Sequence, residues 1–538
     1  MSTSSIRSSN DQGSRRFSRR AILGGGGLLM AGTAFSQGSA ARAAAPLSGL
    51  QLGLNMYESI GVKPLINCRG TFTIISGSLT LPEVKQAMEE AGHHYVHLDE
   101  LMEGVGKRLG ELANCEWGIV TAGCSAAETV ATCACIAGTD PEKMQRIPND
   151  LKGLKNEVVI PDWSRNVYDH GVRMTGVTMV TVRNLEEFEA AVNPKTAMVY
   201  ILADERNDTG EFGLEPIAGV ARKYAIPLLV DAAAEDFYPD VHFSRGADMV
   251  AYSGGKALRG PQSAGLLLGR KDLCQAAFLN SAPHHAYGRS LKIDKEDVMG
   301  MLAAVEMWSR RDHQAEWAQE KSWLEEIAGR LEKLPGVQTE ILPPRGRSNQ
   351  SLSLQVNWDG TRLGIGGDEV HDLLFTTDPR IALAGSSGNY REGMKESTVS
   401  IVAWMMQPGD AQTVGKRVQE VLARPPQMDH PARPDRASAD IAGRWNAQLD
   451  FSLGSAQHLL FFEQEGQSLA GRHEGDILKG DLSGSIYGDE VDFRSSQAYE
   501  GTRLRFRFKG KVQGDSIQGV VDLGEYGEAR WTARRPEA

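Results

Sequence analysis

Between about Leu50 and Met301, short apolar runs alternate with helical patterns, and this alternation limits the possible folds more than any other feature. Ile119-Val120, Val158-Val159-Ile160, Val177 to Val182, Val199 to Ala203, Ile226 to Val230 and Met249 to Tyr252 are apolar without clean alternation. Strands of that kind are buried on both faces. The stretches 126–137, 185–192 and 216–224 between them have helical spacing. The expectation is an α/β fold with a mostly parallel sheet covered by helices on both sides.

The rest of the chain divides by composition. A long helical segment from Lys295 to Leu334 leads into a second α/β unit. The run Arg424-Pro-Pro-Gln-Met-Asp-His-Pro-Ala-Arg-Pro434 holds four Pro and is expected to be a linker. Beyond it the pattern changes to short alternating strands with Gly-rich turns: Trp445 to Phe451, Leu459 to Glu463, Glu490 to Arg494, Leu504 to Phe508 and Ile517 to Asp522. Gly484-Ser-Ile-Tyr-Gly-Asp-Glu-Val491 is echoed by Gly510-Lys-Val-Gln-Gly-Asp-Ser-Ile517, which predicts consecutive hairpins in a small antiparallel barrel or sandwich. The expected organisation is a signal over 1–45, a large domain over 50–305 and a small α/β domain over 306–423. A linker over 424–437 and a β domain over 438–538 complete it.

At the N-terminus, Ser18-Arg19-Arg20-Ala21-Ile22-Leu23 precedes a weakly apolar, Gly-rich stretch, and Ala41-Arg42-Ala43 offers small residues for cleavage. This resembles a twin-arginine export signal and implies a periplasmic or otherwise exported protein. The apolar run is too short to span a membrane, and no other span is expected. The first 43 residues hold six Arg against one Asp, so their loss would take the net charge from −11 to −16. So acidic a chain is a poor candidate for gripping nucleic acid. With 538 residues, 41% hydrophobic, and only six Cys, it is neither disordered nor a disulfide scaffold.

Chemistry concentrates at two strand ends. Ile226-Pro-Leu-Leu-Val230 runs into Asp231, and the next strand, ending at Tyr252, runs into Ser253-Gly-Gly-Lys256. In an open parallel sheet ligands sit at the carboxyl ends of strands, so both charges are expected to face one crevice. A Lys amine that forms a Schiff base, beside a carboxylate that keeps a pyridine nitrogen protonated, suits pyridoxal 5'-phosphate. A third element fits: the strand ending at Val120-Thr121 opens through Ala122-Gly123-Cys124-Ser125 into a helix, whose free N–H groups and dipole suit a phosphate.

Phosphate turn, then Asp, then Lys resembles the fold-type I, aspartate aminotransferase-like pyridoxal phosphate enzymes. Within these, Ser253-Gly-Gly-Lys256 followed by Gly260-Pro261-Gln262-Ser-Ala-Gly265 is similar to the corresponding segment of bacterial selenocysteine synthase and its relatives, which include ammonia lyases for amino sugar acids. Leu65-Ile66-Asn67-Cys68-Arg69-Gly70, Leu98-Asp99-Glu100 and Arg289 to Lys295 support the likeness. It covers roughly residues 55–420. The resemblance implies a homodimer or larger homo-oligomer and a small, amine-bearing substrate. It also implies a group against the cofactor ring, His170 first and Tyr168 second, in the region that includes Asn166. Arg289 would reach the phosphate; Arg69, Arg380 and Asp204 are candidates for the substrate.

The expected function is that of an exported lyase or transferase acting at Cα or Cβ of an amino acid or amino sugar acid, with Lys256 and Asp231 catalytic. The alternatives are a selenium or sulfur transferase on aminoacyl-tRNA, and a catalytically silent binding protein that uses its C-terminal β domain. The selenium transferases carry an N-terminal domain for tRNA, and here that place is expected to hold the export signal. His93 and His97, four apart with His94 nearby, have metal-ligand spacing on an expected helix. No third ligand cluster accompanies them, and no metal is expected. Cys133 and Cys135, about 200° apart on one helix, cannot bond to each other.

Overall fold

The computed structural model describes residues 49–54, 56–390, 393–428, 434 and 436–536. The expected twin-arginine signal and residues 429–433 and 435 of the expected linker lie outside these residues. The chain forms two compact units, Leu47–His430 and one that includes Pro431–Ala538.

After a single helical turn at Met56–Ser59, the first unit continues with strand β1 (Ile66–Cys68) and helices α1 (Pro82–Gly92) and α2 (Leu98–Leu112). β2 (Trp117–Thr121) and helix α3 (Cys124–Ala137) follow. Then come β3 (Glu157–Pro161), β4 (Thr178–Val182), β5 (Thr196–Leu202), β6 (Leu228–Asp231), β7 (Met249–Ser253) and β8 (Gly265–Gly269). The seven strands β2 to β8 form one sheet in the order β2-β8-β7-β6-β5-β3-β4. All run the same way except β8, which lies antiparallel to both β2 and β7. Every residue of β2, β6 and β8 is buried, as the unbroken apolar runs require of a sheet covered on both faces. The core beneath it is built from Val158 to Ile160, Val199 to Ile201, Leu228 to Val230 and Leu266 to Leu268, with Trp117 and Phe188.

The long helical segment is two helices, α4 (Lys295–Trp308) and α5 (His313–Leu331), with Asp312 capping the second through Ala315 N–H. α4 packs with the large sheet, and α5 enters a second core. That core contains β9 (Val337–Leu342), β10 (Ser353–Trp358), helix α6 (Gly367–Thr376), β11 (Ile381–Leu383), β12 (Gly385–Asn389), β13 (Gly393–Val402) and helix α7 (Asp410–Ala423). β9, β10, β13 and β12 make an antiparallel sheet. β1 departs from the domain boundaries read off the sequence: it pairs in parallel with β11, and Cys68 is buried in the second core although it precedes the large sheet in the chain.

The second unit is a closed barrel of eight strands, each antiparallel to the next: β14 (Gly443–Asp450), β15 (Ser455–Glu465), β16 (Ser468–Glu474), β17 (Lys479–Tyr487), β18 (Glu490–Tyr499), β19 (Thr502–Gln513), β20 (Ser516–Asp522) and β21 (Glu528–Arg534). Closure of β21 on β14 leaves no sheet edge. The repeated Gly-Asp pairs are the two-residue turns of β17–β18 and β19–β20, with Gly488 and Gly514 both at φ +60. A positive φ at the first central position is what a type II′ hairpin turn demands of glycine. Trp445, Phe462, Phe493, Phe508 and Trp531 fill the interior, with the Phe493 and Phe508 rings stacked 4.7 Å apart.

Candidate active site

The sheet's carboxyl edge is where the chemistry gathers. β2 ends at Thr121, whose hydroxyl donates to Gly123 O at 2.9 Å and shapes the turn into α3. A Cβ on Gly265, the first residue of β8, would lie within 2.5 Å of Cys124 N. Glycine there lets β8 begin directly under the helix start. The first bond of α3 runs from Ala127 N–H to Gly123 O, so the amides of Cys124, Ser125 and Ala126 lack helical acceptors.

Asp231 ends β6 and is buried. Its Oδ1 accepts from Ala233 N–H at 2.9 Å and from Cys124 Sγ at 3.5 Å, and its Oδ2 accepts from the Tyr200 hydroxyl at 3.1 Å. Asn166 Nδ2 reaches that hydroxyl at 3.5 Å. Glu128, one turn along α3 from Cys124, completes the cluster. Its carboxyl, the Cys124 sulfur and the Asp231 carboxylate each place an atom within 4.8 Å of the others. Burial, reinforced by the Asp231 charge, pushes Cys124, Glu128 and Tyr200 well above their ordinary pKa values. Cys124 and Tyr200 therefore keep their protons and donate to Asp231, with Glu128 beside them.

Lys256 follows β7 in a tight loop. Gly254 N–H donates to Ala264 O at 2.8 Å, Gly260 N–H to Gly254 O at 2.8 Å, and Ser78 N–H to Gly255 O at 2.9 Å. Arg311 holds the far side through Ala257 O at 2.9 Å. Lys256 is half-buried, and among the described residues its amine has no hydrogen bond or ion pair. Its charge acts on Cys124 and Glu128, opposing the rise in both.

The remaining candidates separate into two groups. Asn166 accepts from Tyr168 N–H at 2.7 Å, and Asp169 is buried between Arg165 and Arg173 at 2.7 and 2.9 Å. Gly171 lies so close to α3 that a Cβ on it would be 2.5 Å from Ser125 Oγ. This contact sets its neighbour His170 beside the helix start, with His170 and Tyr168 both exposed. Ser253 pairs with Gly265 across β7 and β8. Arg69 lies over the Phe72 ring at 4.4 Å with its Nε buried and unpartnered. The following segment crosses the Lys256 loop, where Gln262 Nε2 donates to Thr73 O at 3.3 Å.

Others are engaged elsewhere. Asp204 is held by Arg206 at 2.7 Å and caps its own loop. Arg380 donates to Phe375 O and Lys63 O at 3.0 and 3.3 Å. Arg289 is exposed on the loop before α4. His93, His94 and His97 do not share a helix: α1 ends at Gly92, α2 begins at Leu98, and all three are exposed between them. Cys133 and Cys135 both lie on α3 as free thiols.

Sequence reasoning missed Glu128 and Tyr200. A signal was present for Glu128, the one charged side chain in the helix CSAAETVATCACIA. It also missed Arg347, which bridges Glu235 at 3.0 Å and Asp208, while Glu235 holds His242 at 2.7 Å. Asn349 N–H donates to Ala234 O at 2.7 Å, so this loop of the second core is tied to the edge just past Asp231.

Residues 162–360 match the aminotransferase class-V family. The chain is 30% identical over 364 residues to D-glucosaminate-6-phosphate ammonia lyase of Salmonella typhimurium, spanning 62% of this chain and 94% of that one. The solved structure of a D-glucosaminate-6-phosphate ammonia-lyase superposes with a TM-score of 0.61 at 26% identity, over 69% of this chain and 99% of that one. The chain belongs to the fold-type I pyridoxal phosphate enzymes of the ammonia-lyase and selenocysteine-synthase group. Further relatives are 5'-C-glycyluridine monooxygenase-decarboxylase of Streptomyces (26% identical; 70% of this chain, 93% of that one) and L-seryl-tRNA(Sec) selenium transferase of Moorella thermoacetica (24%; 54% and 67%).

Pyridoxal 5'-phosphate is the cofactor of this family member, and the residues at the sheet edge fit it. The Asp231 carboxyl is surrounded by donors, the Lys256 amine has no partner among the described residues, and the first three amides of α3 lack helical acceptors. The enzyme is of the lyase or transferase kind. No described helix is long and apolar enough to cross a membrane.

Proposed function

We propose that the enzyme is an exported lyase that breaks a bond at Cα or Cβ of an amino sugar acid or a related amino acid. The carrying observation is the pairing of an unpartnered Lys256 amine with the buried Asp231 cluster, in a chain that spans 94% of an amino sugar acid ammonia lyase. Bound pyridoxal phosphate supplies a carbonyl that condenses with amines and a ring that accepts electrons from bonds at the amine-bearing carbon.

The chain's residues divide the work. The amides of Cys124 and Ser125 would hold the phosphate at the positive end of α3. Asp231, which accepts from Ala233 N–H, Cys124 Sγ and the Tyr200 hydroxyl, would hold the ring nitrogen. His170 covers the ring. Lys256 would anchor the cofactor, and its amine would take or return the proton at Cα of the substrate. Arg69, whose Nε lacks a partner in the segment leading to the Lys256 loop, binds the substrate carboxylate.

The test is to screen amino acids and amino sugar acids, with and without phosphate, for ammonia release and for a change in the cofactor's visible absorbance. Release from an amino sugar acid, abolished in Lys256→Ala, is the expected result. Absence of both signals with every substrate would overturn the reading. Transfer of sulfur or selenium to a seryl-tRNA would replace it with the alternative.

The pair Arg19-Arg20 supports export by the twin-arginine route, and the likeness to fold-type I enzymes supports a homodimer or larger assembly. Replacing both arginines by lysine is expected to leave the protein in the cytoplasm of its host. Light scattering on the holoenzyme is expected to give at least twice the chain mass; a monomer would dismiss the assembly.

A further inference from the structure

Two carboxyl groups lie within 4.8 Å of each other in the buried cluster, those of Glu128 and Asp231. Two carboxylates that close and that buried cannot both be ionised. The surroundings decide which one keeps the proton. Asp231 already accepts from Ala233 N–H, Tyr200 OH and Cys124 Sγ, three donors that favour its anion. Glu128 has no such support: its Oε2 is buried without a partner.

The charged groups around Glu128 reinforce the choice. Asp231 on β6 and Asp169, in the turn after β3, both disfavour a charge on it, while Lys256 opposes them. Arg165 and Arg173 each pair with Asp169. Cys124 and Tyr200, on α3 and β5, are neutral donors directed at Asp231. Gly171 closes the remaining side; a Cβ there would lie 3.1 Å from Glu128 Oε2.

We propose that Glu128 is a positioning residue whose neutral carboxyl donates a hydrogen bond to Asp231 and thereby sets how firmly the ring nitrogen of the cofactor keeps its proton. Each donor to Asp231 lowers its basicity. A less basic Asp231 leaves the proton on the ring, where it makes the ring a stronger electron acceptor. Removing the donor makes Asp231 compete for that proton. The residue touches neither substrate nor cofactor; it acts through Asp231. The inference rests on the cofactor assignment for its consequence, but not for the protonation state itself.

The experiment has two parts. Infrared difference spectra between the full chain and Glu128→Gln, both without cofactor, are expected to show the loss of one neutral-carboxyl C=O stretch at pH 7. No such loss overturns the proposal whether or not the cofactor binds. Cofactor titrations then compare Glu128→Gln, which keeps a neutral donor, with Glu128→Met, which keeps the volume and loses it. Glu128→Met is expected to bind pyridoxal phosphate about 10-fold more weakly, to lower kcat with little change in KM, and to move the pH midpoint of the visible absorbance upward by about one unit. Glu128→Gln is expected to restore all three. Equal behaviour of the two variants overturns the proposal. If Glu128→Met does not fold, the infrared result decides.

Discussion

Each unit of the chain buries a polar cluster, and the two clusters are built on opposite principles. In the barrel, His458 Nδ1 and His473 Nε2 are 2.6 Å apart, and His473 Nδ1 meets Ser495 Oγ at 2.7 Å, so His473 has both ring nitrogens engaged. Burial, with His458 beside it, takes the pKa of His473 down to about 3. This is a neutral, closed network of the kind that fixes packing. In the catalytic unit the Asp231 cluster keeps one charge, leaves Glu128 Oε2 without a partner and faces an unpartnered lysine. A satisfied network holds a fold, whereas an unsatisfied one beside a free amine is arranged for a further group.

The largest expected break in this comparison is Lys256→Ala. Turnover should fall by about three orders of magnitude or more, in steady-state assays on whichever amine proves to be the substrate. The barrel's unfolding, followed through Trp445 and Trp531, should not move. Asp231→Ala comes next, with kcat reduced roughly 100-fold while some cofactor binding remains, as read by titration and kinetics. Undiminished turnover would remove Asp231 from the chemistry.

Two smaller effects sharpen the contrast through pH, and they have opposite signs. His473 is neutral when folded, so the unfolded barrel binds more protons between about pH 6.5 and pH 3. Barrel stability should be complete above pH 6.5 and decline as pH falls through that window, measured by denaturant titration. In the catalytic unit, burial, with Glu316 and Asp236 nearby, raises Glu320 to about 7. Its folded form holds a proton that the unfolded form loses, so its contribution falls as pH rises from about 4.5 to 7. Glu320→Gln should stabilise that unit by about 1–2 kcal/mol at pH 8 and by little at pH 4. A stabilisation equal at both pH values would contradict the assignment.

Much of the catalytic fold was legible because its signals are local. The apolar runs became strands at their expected places, and strand ends put Asp231 and Lys256 on one edge without any knowledge of the packing. β8 escaped because Gly265-Leu-Leu-Leu-Gly269 is short and bounded by glycines, and it alone reverses direction in the sheet. β1 escaped because its partner Ile381 is far along the chain. In the barrel, the Gly-Asp repeat announced two hairpins, while β16, β17 and β21 carry too many Ser, Gly and Arg residues to show as apolar runs. The site was legible in its ions but not in its donors. Glu128 was visible as a lone charge in an apolar helix, yet only the fold brings it to Asp231. Asp204 and Arg380 had suitable chemistry, but neighbours in their own loops engage them.

The most direct test of the central claim is to reduce the cofactor-loaded protein with borohydride and map the modified peptide by mass spectrometry. A pyridoxyl group on Lys256, and on no other lysine, is the result expected of an amine held free beside the Asp231 cluster. A modification elsewhere, or none on a protein that has bound the cofactor, would contradict it.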